Sequence, residues 1–328
     1  MVYLHGLGHF HPETVITNRF LHELDIGCSE KWILERVGIH TRRTSLSLEY
    51  ITQTKNQDPR AAYEASTCTH AQSGAQAARL ALARAGLTTA DLGLIVSGSS
   101  ASDYISPAEA ATVAGELNVD IPCFDLNTAC SSFGTQITFL SKMQAHALPP
   151  YILVVNPESL THSVDYADRK TAALFGDGSS AAVVSCSVPS KMRFEACEVS
   201  SNPLSWDKVR IPRFGHFVQN GNAVQGFAIR KTTDALRKLQ TRYHIDSVSL
   251  KFVGHQANLG MLNTVCERCG FVPDNHWYNV IEFGNTGCSS APAVLSQNWE
   301  RLQPGDHIAI VVVGSGLSWV QMMLRILQ

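Results

Sequence analysis

Short apolar runs alternate along the chain with longer mixed segments. The runs Leu92–Val96 and Leu250–Val253 have the length and composition of buried strands. Ala75–Ala85, followed by the stop signal Gly86, and Phe227–Tyr243 are predicted helices, and each precedes one of these runs. Strands that alternate with helices predict an α/β fold whose sheets are mostly parallel.

An internal repeat divides the chain into two similar halves. Residues 127–132, Asn-Thr-Ala-Cys-Ser-Ser, recur as Asn-Thr-Gly-Cys-Ser-Ser at 285–290. The same ungapped offset carries Ile152–Val155 onto Ile310–Val313 and the first apolar run onto the second. A repeat of about half the chain indicates duplication and not a short-period solenoid. We place the N-terminal half at 1–186 and the C-terminal half at 187–328.

Further helices are predicted from local signals. Each copy of the repeated turn is followed by a helical segment, Ser131–Ala145 in the first half and Ser289–Arg301 in the second. Near the start of the chain, Ser29 is an N-cap for a helix over Glu30–Val37 that ends at a glycine.

Composition excludes several classes of protein. With 328 residues, 45% hydrophobic and 16% charged, the chain suits two packed halves and not a disordered protein. A net charge of −2 gives no global basic field for nucleic acid. No apolar run approaches the roughly 20 residues that span a bilayer, and Met1–His5 lacks a signal-peptide pattern. Nine scattered cysteines fit a reduced cytoplasmic protein with free thiols.

The repeated turn is a candidate site for a nucleophilic cysteine. Cys130 precedes a predicted helix, whose positive N-terminus is expected to lower the thiol pKa. Attack of a thiolate on a thioester gives an acyl-enzyme, and nearby backbone N–H groups can hold the oxyanion. On the repeat alone Cys288 is an equal candidate, and for either cysteine ordinary core burial is the alternative.

His255 and Asn285 distinguish the second half from the first. His255 ends a predicted strand, where active sites form in α/β folds, and its equivalent in the first half is Ser97. Asn285 offers an amide donor that does not titrate. Together they suit stabilisation of a thioester enolate, although a lone histidine is more often structural.

In their order along nearly the whole chain, a series of motifs resembles the 3-oxoacyl-ACP synthase III (beta-ketoacyl-ACP synthase III) family of the thiolase superfamily. The resemblance implies a thiolase-like fold, an α-β-α-β-α sandwich of two duplicated halves, in a homodimer of the fatty-acid biosynthesis type. The motifs are residues 8–17, 32–39, 124–131, 168–169 with 175–178, 254–258, 284–286 and 314–319.

The resemblance also implies a division of labour. An acyl group from acyl-CoA is loaded onto Cys130, and His255 and Asn285 then assist decarboxylation of malonyl-ACP or malonyl-CoA to give a 3-oxoacyl thioester. The backbone N–H groups of Cys130 and Ser315 are expected to form the oxyanion hole. Coenzyme A thioesters enter as substrates, and no other cofactor and no metal is expected.

Three further residues match positions that hold coenzyme A in the family: Trp32, Arg36 and Asn258. Stacking on the indole and ion pairing with the guanidinium give a physical reason for the first two. Taken without the family, an exposed amphipathic helix is an equal interpretation of Trp32 and Arg36. Phe133 is interpreted as core packing.

Departures from the family pattern concern the carrier protein. Gly254 replaces a proline, Gly260 an arginine that contacts the carrier, and His162 a basic residue. Both of the last two changes weaken the case for ordinary docking of an acyl carrier protein. A basic patch for an acidic carrier is still available on the second predicted helix, at Arg230, Lys231, Arg237 and Lys238.

The acyl pocket is also expected to differ. Ser106 and Val313 stand where short-chain members carry phenylalanine. Smaller side chains leave room for methylenes, each of which adds roughly 0.8 kcal/mol when buried. The sequence therefore predicts a starter longer than acetyl, with refilling of the space by Tyr104 or Ile105 as the open alternative.

Rival functions remain open at this point. The first is an acyltransferase of the same fold with an oxygen or nitrogen acceptor, and the second a non-catalytic subunit of a heteromeric synthase. Retention of Asn285 argues against the first and of the whole trio against the second. A hydroxymethylglutaryl-type synthase is disfavoured because no general acid near Cys130 is evident. Cys266 and Cys269 are interpreted as structural and not as metal ligands.

Overall fold

The computed structural model describes residues 1–213 and 215–328. Its strands are β1 Val2–Phe10, β2 Thr14–Thr17, β3 Thr41–Thr44, β4 Leu94–Ser97, β5 Cys123–Asp125, β6 Ile152–Ser159, β7 Asp177–Ser185, β8 Met192–Ser201, β9 Val209–Arg210, β10 Val218–Gln219, β11 Leu250–Gly254, β12 His307–Gly314 and β13 Ser318–Ile326. Its α-helices are α1 Asn18–Glu23, α2 Glu30–Val37, α3 Leu48–Thr54, α4 Ala61–Ala65, α5 His70–Ala85, α6 Glu109–Glu116, α7 Ser132–Lys142, α8 Arg169–Ala172, α9 Gly221–Tyr243, α10 Leu259–Cys269, α11 Val280–Phe283 and α12 Ser290–Gln297.

The strand order repeats between the halves. The large sheet runs β11-β12-β13-β8-β1-β7-β6-β4-β5 through the described residues. In the first half β4 pairs in parallel with β6, and in the second β11 pairs in parallel with β12, at the places that the repeat equates. Only β7 and β13 run against the other strands of their halves. Three ladders of the large sheet are parallel and five are antiparallel, so the predicted parallel pairs are present but each half is a mixed sheet and not a mostly parallel one.

Three apolar layers hold the sandwich together. The strand β6 is buried on both faces: Ile152 and Val154 pack in the layer between the halves, and Leu153 and Val155 pack outward. This is why the sequence shows an unbroken apolar run there instead of an alternating one. Helices α7 and α12 fill the middle layer, α5 and α6 cover one outer face, and α9 and α10 cover the other. The α-β-α-β-α sandwich is confirmed.

Small residues allow α5 to pack unusually close to β1. A Cβ on Gly8 would lie 1.9 Å from the Ala77 carbonyl oxygen, and one on Gly6 would lie 2.1 Å from that of Ala81. Glycine is therefore required at these two positions of the strand.

Helix bounds agree with the local signals, with shifts that have physical causes. Helix α2 begins and ends as predicted, with the Ser29 hydroxyl accepting from the Trp32 N–H. Helix α5 begins earlier than predicted, at His70, because Thr69 and Gln72 form a capping box. Helix α7 ends at Lys142, short of the predicted bound. The domain boundary placed after residue 186 falls in the connection between β7 and β8.

Two further findings concern membrane-spanning helices and disulfide bonds. None of the helices in the described ranges is both long and apolar enough to cross a membrane. All nine cysteines are unpaired.

Candidate active site

One cavity brings together residues from both halves. It has a volume of about 1040 Å³ and opens between the loops at the ends of β4, β11 and β12 and the first turn of α9. Of the residues singled out from the sequence, it is lined by Trp32, Arg36, Cys130, His255, Asn258, Asn285, Val313 and Ser315.

Cys130 sits on a tight turn that enters α7. Ala129 adopts a left-handed backbone conformation with φ of +51°, which is sparsely populated for a residue with a Cβ. The Asn127 side chain accepts a hydrogen bond from the Ala129 N–H at 2.7 Å, and the Ser132 hydroxyl accepts one from the Thr128 N–H at 2.9 Å. The repeated Asn-Thr-x-Cys-Ser-Ser motif is therefore a turn-forming sequence that presents the cysteine.

The end of β12 closes on this turn. A Cβ on Gly314 would lie 2.9 Å from the Ser131 nitrogen and 3.2 Å from the Cys130 nitrogen, so only glycine permits the approach. The approach brings the Ser315 N–H to the Cys130 sulfur, which the N–H of Cys130 itself also faces. Two backbone donors from different halves thus converge on one point, the arrangement that stabilises an oxyanion.

The resting thiol of Cys130 is protonated. Burial, assisted by the nearby Glu158 carboxylate, raises its pKa to about 12. The two backbone N–H groups and Ser100 act in the opposite direction without reversing the shift. The sequence-based expectation of a lowered pKa was wrong, because desolvation and a buried anion outweigh the helix N-terminus.

His255 follows the last residue of β11, and its N–H donates to the Val311 carbonyl at 3.0 Å. Its side chain is only 8% exposed, and its Nδ1 has no hydrogen-bond partner among the described residues. Burial lowers the pKa of His255 to about 4, so the imidazole is neutral near pH 7. A neutral imidazole can donate a proton in a hydrogen bond without carrying charge into the cavity.

Asn285 is fixed by its own backbone and by the next turn. Its N–H donates to the Leu174 carbonyl at 2.9 Å, and its carbonyl accepts from Gly176 at 3.1 Å. Its side-chain oxygen accepts from the Gly287 N–H at 3.0 Å. The amide orientation is thereby set, and the NH₂ group is left for the cavity.

Aromatic and basic side chains line another part of the cavity wall. Trp32 is half-buried and Arg36 exposed, both on α2. The Arg169 guanidinium lies over the Trp32 ring, 5.3 Å from its centre, and donates to the Gly27 carbonyl. Asn258 lines the cavity and caps α10, its side chain accepting from the Met261 N–H at 2.7 Å. In the sequence, Arg169 stands out only as part of the motif at 168–169, and its position in the cavity wall is not evident.

Ser106 does not line the cavity. Its side chain is exposed. The Asp125 carboxylate of β5 accepts hydrogen bonds from the N–H groups of Glu109 and Ala110 and holds this segment at the sheet edge. Ser106 therefore does not line the cavity of its own chain, and its role in the acyl pocket stays a prediction, whereas Val313 does lie on the cavity wall.

Two residues close to Cys130 were missed from the sequence. Ser100, in the loop after β4, lines the cavity, and Glu158 of β6 is buried behind it. An acid near Cys130 therefore exists, which removes the argument used against a hydroxymethylglutaryl-type synthase. Glu158 does not itself line the cavity. It stands near the end of β6, between Pro157 and Ser159, where no motif in the sequence marks it as part of the site.

One cluster has the composition of a metal site. His70, Asp103 and Glu109 each place one ligand atom within 4.8 Å of the others. The His70 Nδ1 lies 2.9 Å from Glu109, and although burial opposes the charged form, the two carboxylates raise the pKa of His70 to about 9. The imidazolium already supplies the positive charge, so an ion pair explains the cluster.

Comparisons with known proteins agree with this geometry. Residues 124–203 match the family described as 3-Oxoacyl-[acyl-carrier-protein (ACP)] synthase III, and 241–326 match its C-terminal domain. A beta-ketoacyl-[acyl-carrier-protein] synthase III of Sulfurovum is 27% identical over 97% of this chain and 94% of its own. The crystal structure of the Aquifex aeolicus 3-oxoacyl-[acyl-carrier-protein] synthase III superposes with a TM-score of 0.86 at 26% identity, covering 99% of this chain and all of that one. The Pseudomonas aeruginosa enzyme gives 0.84 at 27%, covering 100% and 98%.

The chain belongs to the 3-oxoacyl-ACP synthase III family. It is a member of the thiolase superfamily, as the sequence motifs implied.

The positions at which this synthase III chain departs from the family pattern have local structural explanations. A Cβ on Gly254 would lie 2.6 Å from Leu262 and 2.7 Å from the Phe252 ring, so these apolar side chains leave no room for proline. His162 is buried and bonds the Ser45 hydroxyl at 2.9 Å. Gly260 lies in the exposed first turn of α10. Phe133 packs edge-to-face on Phe194 in the middle layer, which confirms the prediction of core packing.

Proposed function

We propose that this chain is a ketoacyl synthase that loads an acyl group from acyl-CoA onto Cys130 and condenses it with a malonyl thioester. The observation that carries the proposal is the convergence of Cys130, His255 and Asn285, from two halves, on one cavity. The names of the relatives, beta-ketoacyl-[acyl-carrier-protein] synthases III, support it.

In the first half-reaction the Cys130 sulfur attacks the thioester carbonyl. Negative charge develops on the carbonyl oxygen, and the N–H groups of Cys130 and Ser315 are the donors proposed to stabilise it. The carbon–sulfur bond to coenzyme A then breaks, and coenzyme A leaves as the thiol. The product is an acyl-cysteine thioester, close in energy to the thioester consumed.

In the second half-reaction the malonyl thioester loses carbon dioxide. The electron pair of the broken carbon–carbon bond passes to the thioester as an enolate, whose oxygen is held by the Asn285 amide and the neutral His255 ring. The enolate carbon attacks the acyl-cysteine and releases a 3-oxoacyl thioester and the Cys130 thiolate. The proposed reaction calls for no cofactor other than the thioester substrates.

The substrate-binding roles are assigned by physical match. The Trp32 ring with Arg169 and Arg36 suits a purine base with phosphates. We keep Asn258 as a coenzyme A contact, because it lines the cavity. Within the single chain, Val313 on the cavity wall supports a starter longer than acetyl.

An acidic carrier protein is the proposed second donor. The first turn of α9 lines the cavity, and the next turns of the same helix expose Arg230, Arg237 and Lys238. Lys231 lies 4.5 Å from the centre of the Trp319 ring on that face. Positive charge that leads toward the cavity along one helix suits an acidic partner.

A homodimer is the proposed assembly. The edge strand β5 leaves Phe124 42% exposed, and the adjoining loop leaves Tyr104 58% and Ile105 74% exposed. An uncovered strand edge beside apolar side chains is a pairing surface for a second copy. A monomeric mass in solution would contradict this assembly.

Mass spectrometry of the intact protein tests the activity. Incubation with an acyl-CoA panel is expected to add one acyl mass, which Cys130→Ala abolishes and Cys288→Ala, the matched cysteine of the other turn, retains. A malonyl thioester is then expected to discharge the acyl group with release of carbon dioxide. Asn285→Ala is expected to load normally and to lose discharge.

The acyltransferase alternative predicts a different result in the same assay. Discharge by an alcohol or an amine, without carbon dioxide and without dependence on Asn285, would replace the proposed condensation. Failure to load at all would favour a non-catalytic subunit.

A further inference from the structure

The loop after β4 places a hydroxyl group between the nucleophile and a buried acid. Ser100 lines the cavity beside Cys130, and its N–H donates to the Glu158 carboxylate. The Ser100 hydroxyl is buried and lies close to both the Cys130 sulfur and the Glu158 carboxylate. It has no hydrogen bond of good geometry to any residue in the described ranges, so it is available to bridge the two.

Glu158 is held by donors from both halves of the chain. It is 1% exposed, and besides Ser100 it accepts from the Ser99 hydroxyl at 2.8 Å and from the Cys288 N–H at 3.3 Å. A Cβ on Gly287 would lie 1.7 Å from its carboxylate, so the second repeated turn is shaped around it. Placing an acid here has a desolvation cost that packing alone does not explain.

We propose that Ser100 and Glu158 form a proton relay that takes the proton of the Cys130 thiol during acyl loading. Ser100 is the residue that contacts the reacting sulfur, and Glu158 is a positioning residue that acts through it. The inference deepens the proposed function and rests on it, because it assigns a base to the loading step of that reaction.

The step balances in protons and electrons. As the sulfur–carbon bond forms, the thiol proton passes to the Ser100 oxygen and the Ser100 proton passes to the Glu158 carboxylate. When the bond to the leaving sulfur breaks, the proton returns along the same two oxygens to the departing thiolate. Glu158 is again a carboxylate, Ser100 again a hydroxyl, and no other reactant is consumed.

The need for a relay follows from the neighbouring groups. Burial raises the pKa of Cys130 to about 12 and lowers that of His255 to about 4, so the neutral imidazole does not stabilise a Cys130 thiolate by an ion pair. The titratable groups that bear on Glu158 are the thiols of Cys130 and Cys288 and the imidazole of His70. Burial also raises the pKa of Glu158, which suits a group that accepts a proton and then returns it.

Alkylation by iodoacetamide and loading by acyl-CoA, each followed by intact mass across pH 6 to 9, test the relay. Wild-type Cys130 is expected to react at a rate that changes little over this range. Ser100→Ala is expected to react at least about 10-fold more slowly at pH 6.5 and to accelerate about tenfold per pH unit, because thiolate then forms only through solvent. Ser100→Thr, which keeps the hydroxyl, is expected to restore the flat profile, and Glu158→Gln to behave like Ser100→Ala.

The matched control is Ser97→Ala. Ser97 is the last residue of β4 and lies three residues before Ser100. The Ser97 hydroxyl is also buried and without a partner within the described residues, but it does not line the cavity. An unchanged pH profile in Ser100→Ala, an equal loss in Ser97→Ala, or failure of Ser100→Thr to restore the rate would each overturn the relay. If Glu158→Gln does not fold, the two Ser100 variants still decide. Alkylation needs no thioester, so its outcome is independent of whether condensation is the reaction.

Discussion

Arg169 lies over the Trp32 ring with 5.3 Å between the guanidinium carbon and the ring centre, and both residues line the cavity. The guanidinium is anchored by its bond to the Gly27 carbonyl, so it is oriented before any ligand arrives. An aromatic face beside a fixed cation can accept a flat base and a phosphate with little loss of side-chain entropy.

Arg169→Ala is expected to raise the KM for acyl-CoA by about 5- to 30-fold, the equivalent of about 1–2 kcal/mol, and to leave the loading kcat unchanged. Arg301→Ala is the control, because Arg301 lies 5.0 Å from the centre of the Trp277 ring but does not line the cavity. Loading kinetics measure both values. A fall in kcat at constant KM would contradict a binding role.

His255 is expected to make stability depend on pH. The folded protein takes up its proton at a pKa of about 4, whereas the unfolded chain takes one up near 6.5. Between these values the unfolded state binds more protons, so stability falls as the pH drops through this window. The loss from this residue is about 2 kcal/mol at pH 5 relative to pH 7.5.

Urea unfolding at pH 7.5 and at pH 5 gives the free energy of unfolding of wild type and of His255→Gln at each pH. The change in this free energy between the two pH values checks the prediction. His276→Gln is the matched variant, since burial also lowers the pKa of His276 to about 4 and the residue lies outside the cavity wall. Both variants are expected to reduce the pH dependence, but only His255→Gln should lose condensation. If the free energy of unfolding changes with pH in His255→Gln as it does in wild type, the pH dependence does not come from His255.

Gly314→Ala is expected to impair loading. The new Cβ would meet backbone atoms of Thr128, Ser131 and Cys130, so β12 and the nucleophile turn must move apart and Ser315 with them. We expect a destabilisation of about 1–3 kcal/mol and a larger loss in kcat than in binding. Gly115→Ala, where nothing lies within 4 Å, is expected to stabilise α6 slightly. Normal loading by a folded Gly314→Ala would show that the close approach is dispensable.

Val313→Phe is expected to shift the preferred starter toward acetyl. A bulkier side chain on the cavity wall removes space for the acyl chain, and each methylene lost from burial is worth about 0.8 kcal/mol, or about fourfold in rate. Loading of acetyl- to decanoyl-CoA gives the comparison. Val248→Phe, at a position 64% exposed, should leave the profile as in wild type. A wild-type preference for acetyl-CoA would refute the longer starter.

The architecture was predictable because its signals are local or repeated. Buried parallel strands show as apolar runs, the N-cap Ser29 and the C-cap Gly38 bound α2, and the recurrence of the cysteine turn exposed the duplication. Cys130, His255 and Asn285 could be proposed for the same reason, since each belongs to a motif at the end of a strand or at the repeated turn.

No local sequence pattern shows which residues of the two halves come into contact. The high pKa of Cys130 arises from burial and from Glu158, which lies on another strand. The turn that holds Cys130 is also closely approached by Gly314, at the end of β12 in the other half. The exposed position of Ser106 was not evident from the sequence, because a carboxylate on a neighbouring strand holds its segment at the sheet edge. The sequence by itself determined the elements, the duplication and the nucleophile turn. Only the tertiary structure decided the electrostatics, the lining of the cavity and the Ser100–Glu158 contact, because desolvation and proximity depend on residues distant in the chain.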